Sequence, residues 1–255
     1  MANSRSGESV VQRVVRIIGA FDKRRTSMTV SALARLVDLP LTTTHRLVRE
    51  LVGEGLLDVT EGRVRLGQRL WELASRGSRT VNLAEVALPY MEDVHSVVQQ
   101  HTTLAVLDSD EVLYITRLSS HSRTRNITTV AGRLPVHACS SGLVLLAFSP
   151  MDYQNQILAR TLTRFTDRTV TDERSLRALL AQVRTLGFAS VPGIIVPESS
   201  GIAVPVFDAQ GQVTAALNVI VNVGEESLDS TVPALKTAAR GISRALGARL
   251  SPIPR

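Results

Sequence analysis

Two groups of side chains in the 255-residue sequence have the types and spacing to do chemistry. The first lies between Pro40 and Val52, where Thr42, Thr43, Thr44, His45, Arg46 and Arg49 are interleaved with apolar Leu47, Val48, Leu51 and Val52. Short hydroxyls come close to bases and phosphates, and arginines reach guanine edges or phosphate oxygens, so this is chemistry suited to reading DNA. The second is the loop GRLPVHACSSG, Gly132 to Gly142, which carries His137, the sole cysteine Cys139, Ser140 and Ser141 into an apolar helix. The N–H groups at such a helix start can receive an anionic or carbonyl oxygen; equally, the segment can be an ordinary capped helix start.

Catalysis by the second group is disfavoured. His137 and Cys139 invite a base and nucleophile assignment, but residues two apart at a helix start point in different directions, and no third orienting group is evident. A lone cysteine of this kind is usually a small buried apolar residue. The histidines His45, His95, His101, His121 and His137 show neither HxxxH nor HExxH spacing, and one cysteine can build neither a metal cluster nor an intrachain disulfide. No catalytic residue, metal or cofactor is therefore expected.

The elements that must position these groups show as periodicity. Val11, Val14, Val15, Ile18 and Phe21 predict a first helix with Ser9 as its N-cap. Thr29 caps a second helix through Val37, residues 38–40 interrupt it, and a third runs from about Leu41 to Val52. Pro40 costs little there, because the first N–H groups of a helix lack partners anyway. Residues 56–59 and 63–66 read as strands around Glu61 and Gly62. Arg63 and Arg65 on that hairpin suit phosphate or minor-groove contact, or are solvated charges that protect its edge. Three helices followed by a hairpin are the order of a winged helix-turn-helix.

A helix over 68–75 leads into a linker at 76–80. Beyond it the patterns predict a helix at 83–100, strands at 103–107, 112–118 and 126–130, and helices at 138–148 and 172–186. A strand pair at 201–207 and 213–221 and a last helix at 232–246 complete the pattern. Strands grouped with helices instead of strictly alternating argue for an α+β domain with a mainly antiparallel sheet. The expected organisation is a winged helix over 1–66, a linker helix over 67–80, a second domain over 81–250 and a tail at 251–255.

Charge separates the two domains. Residues 1–80 hold 14 Lys and Arg against 8 Asp and Glu, whereas residues 81–255 hold 15 of each. The whole excess of +6 therefore sits in the first third, which suits a polyanionic partner for the small domain alone. An architectural or RNA-binding role would leave the neutral second domain without purpose, and no stacking-rich aromatic face is evident. Residues 1–20 lack the apolar core of a signal peptide, and no apolar run approaches the roughly 18 residues of a membrane span. A cytoplasmic protein without membrane partners is expected.

The segments SVVQRVVRIIGAF, LPLTTTHRLVREL, GRVRLGQRLWELA, GRLPVHACSSGLVLLAF, TVTDERSLRALLAQVRTLGFA and GIAVPVFDAQGQVTAALNV occur in that order between residues 9 and 246. Together they resemble the isocitrate lyase regulator (IclR) family of bacterial repressors and activators. The resemblance implies a winged helix joined by a linker helix to a GAF-like effector-binding domain. It also implies a homodimer or dimer of dimers on a pseudo-palindromic operator in double-stranded DNA, with repression the preferred sense. Carried over position by position, it nominates Asn126, Ser140, Ser141, Val191, Ser199, Gly201, Asn218 and Ile220 as effector contacts. An amide at Asn218, inside an apolar run, needs a partner wherever it is buried.

The sequence departs from its relatives at 190–201, SVPGIIVPESSG, where acidic residues are common, and at Leu143, where a lysine is usual. Ile194, Ile195 and Val196 imply a drier lining. Such a wall gains about 25 cal/mol per Å² of apolar ligand area and gives nothing to a charge. Ile194 thus joins the expected site, and the effector is expected to be a partly apolar metabolite such as an aromatic or alicyclic acid.

Overall fold

The computed structural model describes residues 8–22, 24–119 and 127–248. They fall into two compact units divided between Ser78 and Arg79. In the first unit, helix α1 (Val10–Ile18) opens with a capping box. Gln12 N–H donates to Ser9 Oγ at 3.1 Å, and the Gln12 side chain accepts from Ser9 N–H at 2.7 Å. Strand β1 (Met28–Thr29) runs into α2 (Val30–Leu36), whose N-cap is the Thr29 hydroxyl, and α3 (Leu41–Gly53) comes next. Strands β2 (Leu57–Thr60) and β3 (Arg63–Leu66) form the wing and recruit β1 into an antiparallel sheet of order β1-β3-β2. Ile17, Leu33, Leu47, Leu51, Leu57 and Val64 make the core. Helix α4 (Gln68–Gly77) closes the unit.

Periodicity assigns α1 the wrong inward face. Ile17 is its buried residue, with Val14 and Phe21 packed beside the core, while Val11 and Val15 are 70% and 63% exposed. The inward stripe is therefore 14–17–21, set by what Leu33 and Leu47 offer it. Strand β1 has no signal in the sequence, because two residues carry no period and exist as a strand only through pairing with Val64 and Arg63.

The second unit begins with α5 (Arg79–Val98), β4 (His101–Asp108), β5 (Glu111–Leu118) and β6 (Arg133–Pro135). A 3₁₀ turn (Val136–Ala138) then enters α6 (Ser140–Phe148), followed by α7 (Met151–Leu158) and α8 (Glu173–Leu186), which Asp172 caps at 2.8 Å. Strands β7 (Ala189–Pro192), β8 (Ser199–Phe207) and β9 (Val213–Asn222) precede α9 (Leu228–Ala245). The six strands form one antiparallel sheet of order β6-β5-β4-β9-β8-β7. Helices α5 and α9 cover one face through Leu83, Met91, Leu235 and Ile242 against Leu104, Leu217 and Val219. Helix α6 covers the other with α8, through Leu143 to Ala147, Leu176 and Leu180 against Ala105, Ala203 and Ala216. Being apolar all round, α6 is the buried helix of the domain. No helix among the described residues is long and apolar enough to cross a membrane.

The strand expected at 126–130 is absent from the described part of that range. Residues 127–129 are irregular and the chain turns at 130–131. Ala131, at φ 64°, donates to the Tyr114 carbonyl at 2.8 Å, and Tyr114 N–H donates to the Gly132 carbonyl at 3.0 Å. The chain thus meets the β5 edge through a turn and becomes β6 only at Arg133. At the other end of this crossing, a Cβ on Gly142 would lie 2.1 Å from the Val136 carbonyl oxygen. Gly142→Ala is expected to lower the stability of the second domain by about 1–3 kcal/mol, read by thermal unfolding, because the 3₁₀ turn must shift to admit a methyl group.

Candidate functional site

On α3, Thr42, His45, Arg46 and Arg49 are exposed and Thr43 is half-buried. Arg46 pairs with Glu50 at 2.7 Å, but both are exposed, and a surface pair of this kind holds weakly enough to release the guanidinium. Thr44 does not belong with them. It is fully buried, and its hydroxyl donates back to the Pro40 carbonyl at 3.1 Å. Positions 44, 47, 48 and 51 are one helical stripe, the one that packs on the core, so spacing alone could have excluded it. On the wing, exposed Arg63 donates to the Ser27 hydroxyl and carbonyl at 3.0 and 2.8 Å, and Arg65 lies 3.7 Å from Asp58.

In the second unit, strand register gathers the other nominated residues. Val191 on β7, Gly201 on β8 and Ile220 on β9 are direct cross-strand partners, and Asn218 lies opposite both Ala203 and Thr103. With Ser140, Ile194 and Ser199 they line a cavity enclosing about 400 Å³ including its mouth. Tyr114, Ile127, Thr128, Leu134, Cys139 and Ile195 complete the lining and are not among the nominated residues. Tyr114 could have been found, since Val112 and Tyr114 alternate onto the α6 face of β5.

Asn218 is the polar centre of this arrangement. With its amide nitrogen toward α6, it donates to Ser140 Oγ at 2.8 Å and the Ile202 carbonyl at 3.0 Å, while its oxygen accepts from the Thr103 hydroxyl at 3.1 Å. The reverse orientation would set the amide oxygen against the Ile202 carbonyl oxygen. Accepting from Asn218 leaves the Ser140 hydroxyl proton free to donate. Gly201 makes this contact possible, because a Cβ there would stand 2.3 Å from Ser140 Oγ. The apolar wall is held from outside: Thr166 Oγ1 donates to the Gly193 carbonyl and Thr169 Oγ1 to the Ile194 carbonyl, each at 2.7 Å.

One nomination changes, and two further expected residues do not join the lining described. Ser141 is fully buried and sits beside the Tyr114 hydroxyl without lining the cavity, because the second residue of α6 already turns toward the core. Val196 is likewise buried outside the lining. Asn126 lies outside the described residues. His137 and Cys139 form no couple: His137 Nε2 meets the Thr163 carbonyl at 2.9 Å, so that nitrogen carries the proton. The Cys139 sulfur caps α6, accepting from Gly142 N–H at 3.3 Å. Burial pushes its thiol up to about 11 from an ordinary 9.0, the opposite of an activated nucleophile. Burial, then neighbouring Cys139, also holds the Tyr114 hydroxyl well above its usual range.

A winged helix presenting basic side chains, joined in one chain to a separate α+β unit with an internal cavity, defines a helix-turn-helix transcriptional regulator. This chain belongs to the IclR family of bacterial transcriptional regulators. Residues 10–60 match the IclR helix-turn-helix domain and residues 78–244 the C-terminal domain of bacterial transcriptional regulator IclR. The chain is 31% identical over 241 residues to the Pca regulon regulatory protein of Pseudomonas putida, covering 92% of this chain and 82% of that one. It is 30% identical to the regulator KdgR of Escherichia coli K12, covering 94% and 93% of the two chains. A solved IclR homolog from Microbacterium hydrocarbonoxydans, complexed with 4-hydroxybenzoate, is 45% identical with a TM-score of 0.87 over 93% of this chain and 99% of that one.

The geometry of the site sets two measurable outcomes. Cys139 stays protonated at neutral pH and only 5% exposed, so a thiol-specific disulfide reagent at pH 8 is expected to label it far more slowly in the folded chain than on unfolding. Its ionisation favours the unfolded chain, so its contribution to stability is lost as pH rises from 9.0 through about 11. Gly201→Ala is expected to displace Ser140 and weaken any ligand of the cavity at least tenfold by calorimetry, with the fold of the first unit unchanged.

Proposed function

We propose that the chain is a DNA-binding repressor whose grip on its operator is controlled by an aromatic or alicyclic carboxylic acid bound in the second domain. The observation that carries this reading is the cavity's lining, in which no residue among those described is charged and Val191, Ile194, Ile195 and Ile220 set an apolar wall opposite the Ser140 and Asn218 polar pair. Such a wall rewards ring area, and two or three placed polar groups orient the ring's substituents. The 4-hydroxybenzoate bound by the Microbacterium relative has both features and supports the assignment.

In this reading Thr42, Thr43, His45, Arg46 and Arg49 face base edges and phosphates in the major groove, and Arg63 and Arg65 reach the flanking backbone. The working form is a homodimer or dimer of dimers on a pseudo-palindromic operator in the cytoplasm. The apolar surface left by Val10, Val11 and Val15 on α1, and by Trp71 and Leu73 on α4, is the kind a second copy covers. The effector acts by binding the DNA-bound and free geometries unequally, with α4 as the transmitting element.

Calorimetric titration is expected to show 4-hydroxybenzoate or cyclohexanecarboxylate binding at least tenfold more tightly than pyruvate or glyoxylate; binding by the small acids alone would sink the assignment. Arg46→Ala is expected to weaken operator binding by about 1–3 kcal/mol in a mobility shift on the chain's own upstream DNA, with effector affinity unchanged. Equal loss of both in a folded variant would contradict two separable sites.

A further inference from the structure

We propose that Arg117 holds the carboxylate of the effector, an assignment that rests on the reading of the cavity as the effector site. Strand β5 breaks its two-residue alternation. Tyr114 lies opposite Ala105 but Thr116 opposite Leu104, so Ile115 is an extra residue, a β-bulge that re-aims the remainder of the strand. Before the bulge, Val112 and Tyr114 face α6; after it, Ile115 and Leu118 both pack into the opposite core with Leu104. Arg117, the partner of Thr103, is thereby placed on the cavity face. Thr103 is in turn opposite Asn218 and bonded to it, so one cross-strand row leads from Arg117 through Thr103 and Asn218 to Ser140.

The guanidinium contacts the lining directly, since Arg117 Nη1 donates to the Thr128 carbonyl at 2.5 Å and Thr128 lines the cavity. Its charge is unanswered: among the described residues no carboxylate lies within 4.0 Å of Arg117. Its Nε is buried without a hydrogen-bond partner among the described residues. A half-buried guanidinium in that state is destabilising unless an acceptor arrives, and a carboxylate meets Nε and an Nη together in a planar, bidentate pair. The start of α6 offers an anion only a helix terminus, equivalent to about half a charge. Arg117 offers a full one next to Thr128, in a lining whose described residues carry no charge. The effector is therefore held with its carboxylate at the β5 side and its ring against Ile194 and Ile195.

The test compares an ionised acid with its neutral isostere, 4-hydroxybenzoate against 4-hydroxybenzamide, by calorimetry on full-length wild type, R117Q and R117K. R117Q keeps a neutral donor for Thr128 and R117K keeps the charge without the fork, so the pair stays informative if one variant folds poorly. R117Q is expected to lose about 10- to 100-fold in affinity for the acid and less than threefold for the amide, with R117K between. Equal loss for both ligands in folded R117Q would mark a merely structural arginine, and unchanged acid affinity would put the carboxylate elsewhere; either overturns the assignment. If wild type binds neither aromatic compound, the same comparison is made with pyruvate and pyruvamide. Binding there removes the aromatic reading, while R117Q still decides Arg117. Failure of every aromatic, alicyclic and small carboxylate to bind overturns both.

Discussion

A primary amide on a central strand, 1% exposed, cannot turn to water, so both ends of Asn218 must be met where they stand. Meeting them ties together three parts of the second domain that are distant in sequence. The Thr103 hydroxyl comes from β4, the Ile202 carbonyl from β8, and the Ser140 hydroxyl from the first residue of α6. The helix start must therefore lie within hydrogen-bond reach of the sheet, closer than side chains on the facing strand normally permit. Gly201 provides that approach on the sheet side, and Gly142 lets α6 leave the 3₁₀ turn without striking the Val136 carbonyl. The cavity is the space beside this contact, and its polar end is polar because these bonds must be made.

Where the sequence pattern is long and periodic it reads correctly, and where an element depends on its neighbours it does not. Helix α3, the wing strands, α8 and the β8–β9 pair all show in their own residues. Strands β1 and β6 are two and three residues long and exist through pairing, so no local pattern marks them, and β7 lacks the tight glycine turn that marks the equally short wing strands. The face of α1 is misread for a related reason: five apolar residues fit more than one stripe, and only the core opposite selects 14–17–21. Thr44 is the converse case, a polar residue whose spacing from Leu47, Val48 and Leu51 already makes it inward.

The cavity residues are legible through the resemblance and not through spacing. Val191, Gly201 and Ile220 lie ten and nineteen positions apart, and only antiparallel register sets them in one row. Tyr114 is recoverable from ordinary alternation, but Arg117 is not. Period-two reading assigns it to the face opposite Tyr114, and the Ile115 bulge reverses that assignment. A one-residue irregularity thus converts a cation that would cover the α5 side into one that bonds Thr128, a residue of the cavity lining.

The two sides of the cavity are built with different firmness, and this bears on how a ligand is coupled to the rest of the chain. Ser140, Gly201, Asn218 and Ile220 belong to α6 and to central strands inside close-packed cores, where displacement costs packing on both faces of the sheet. The opposite wall is a loop: Ile194 packs into the α6 core, Ile195 is half-buried beside it, and the Gly193 and Ile194 carbonyls accept from the Thr166 and Thr169 hydroxyls, bonds each worth about 0.5–1.5 kcal/mol net. Of the side chains on this loop, half-buried Ile195 is the one whose movement would disturb the least core packing.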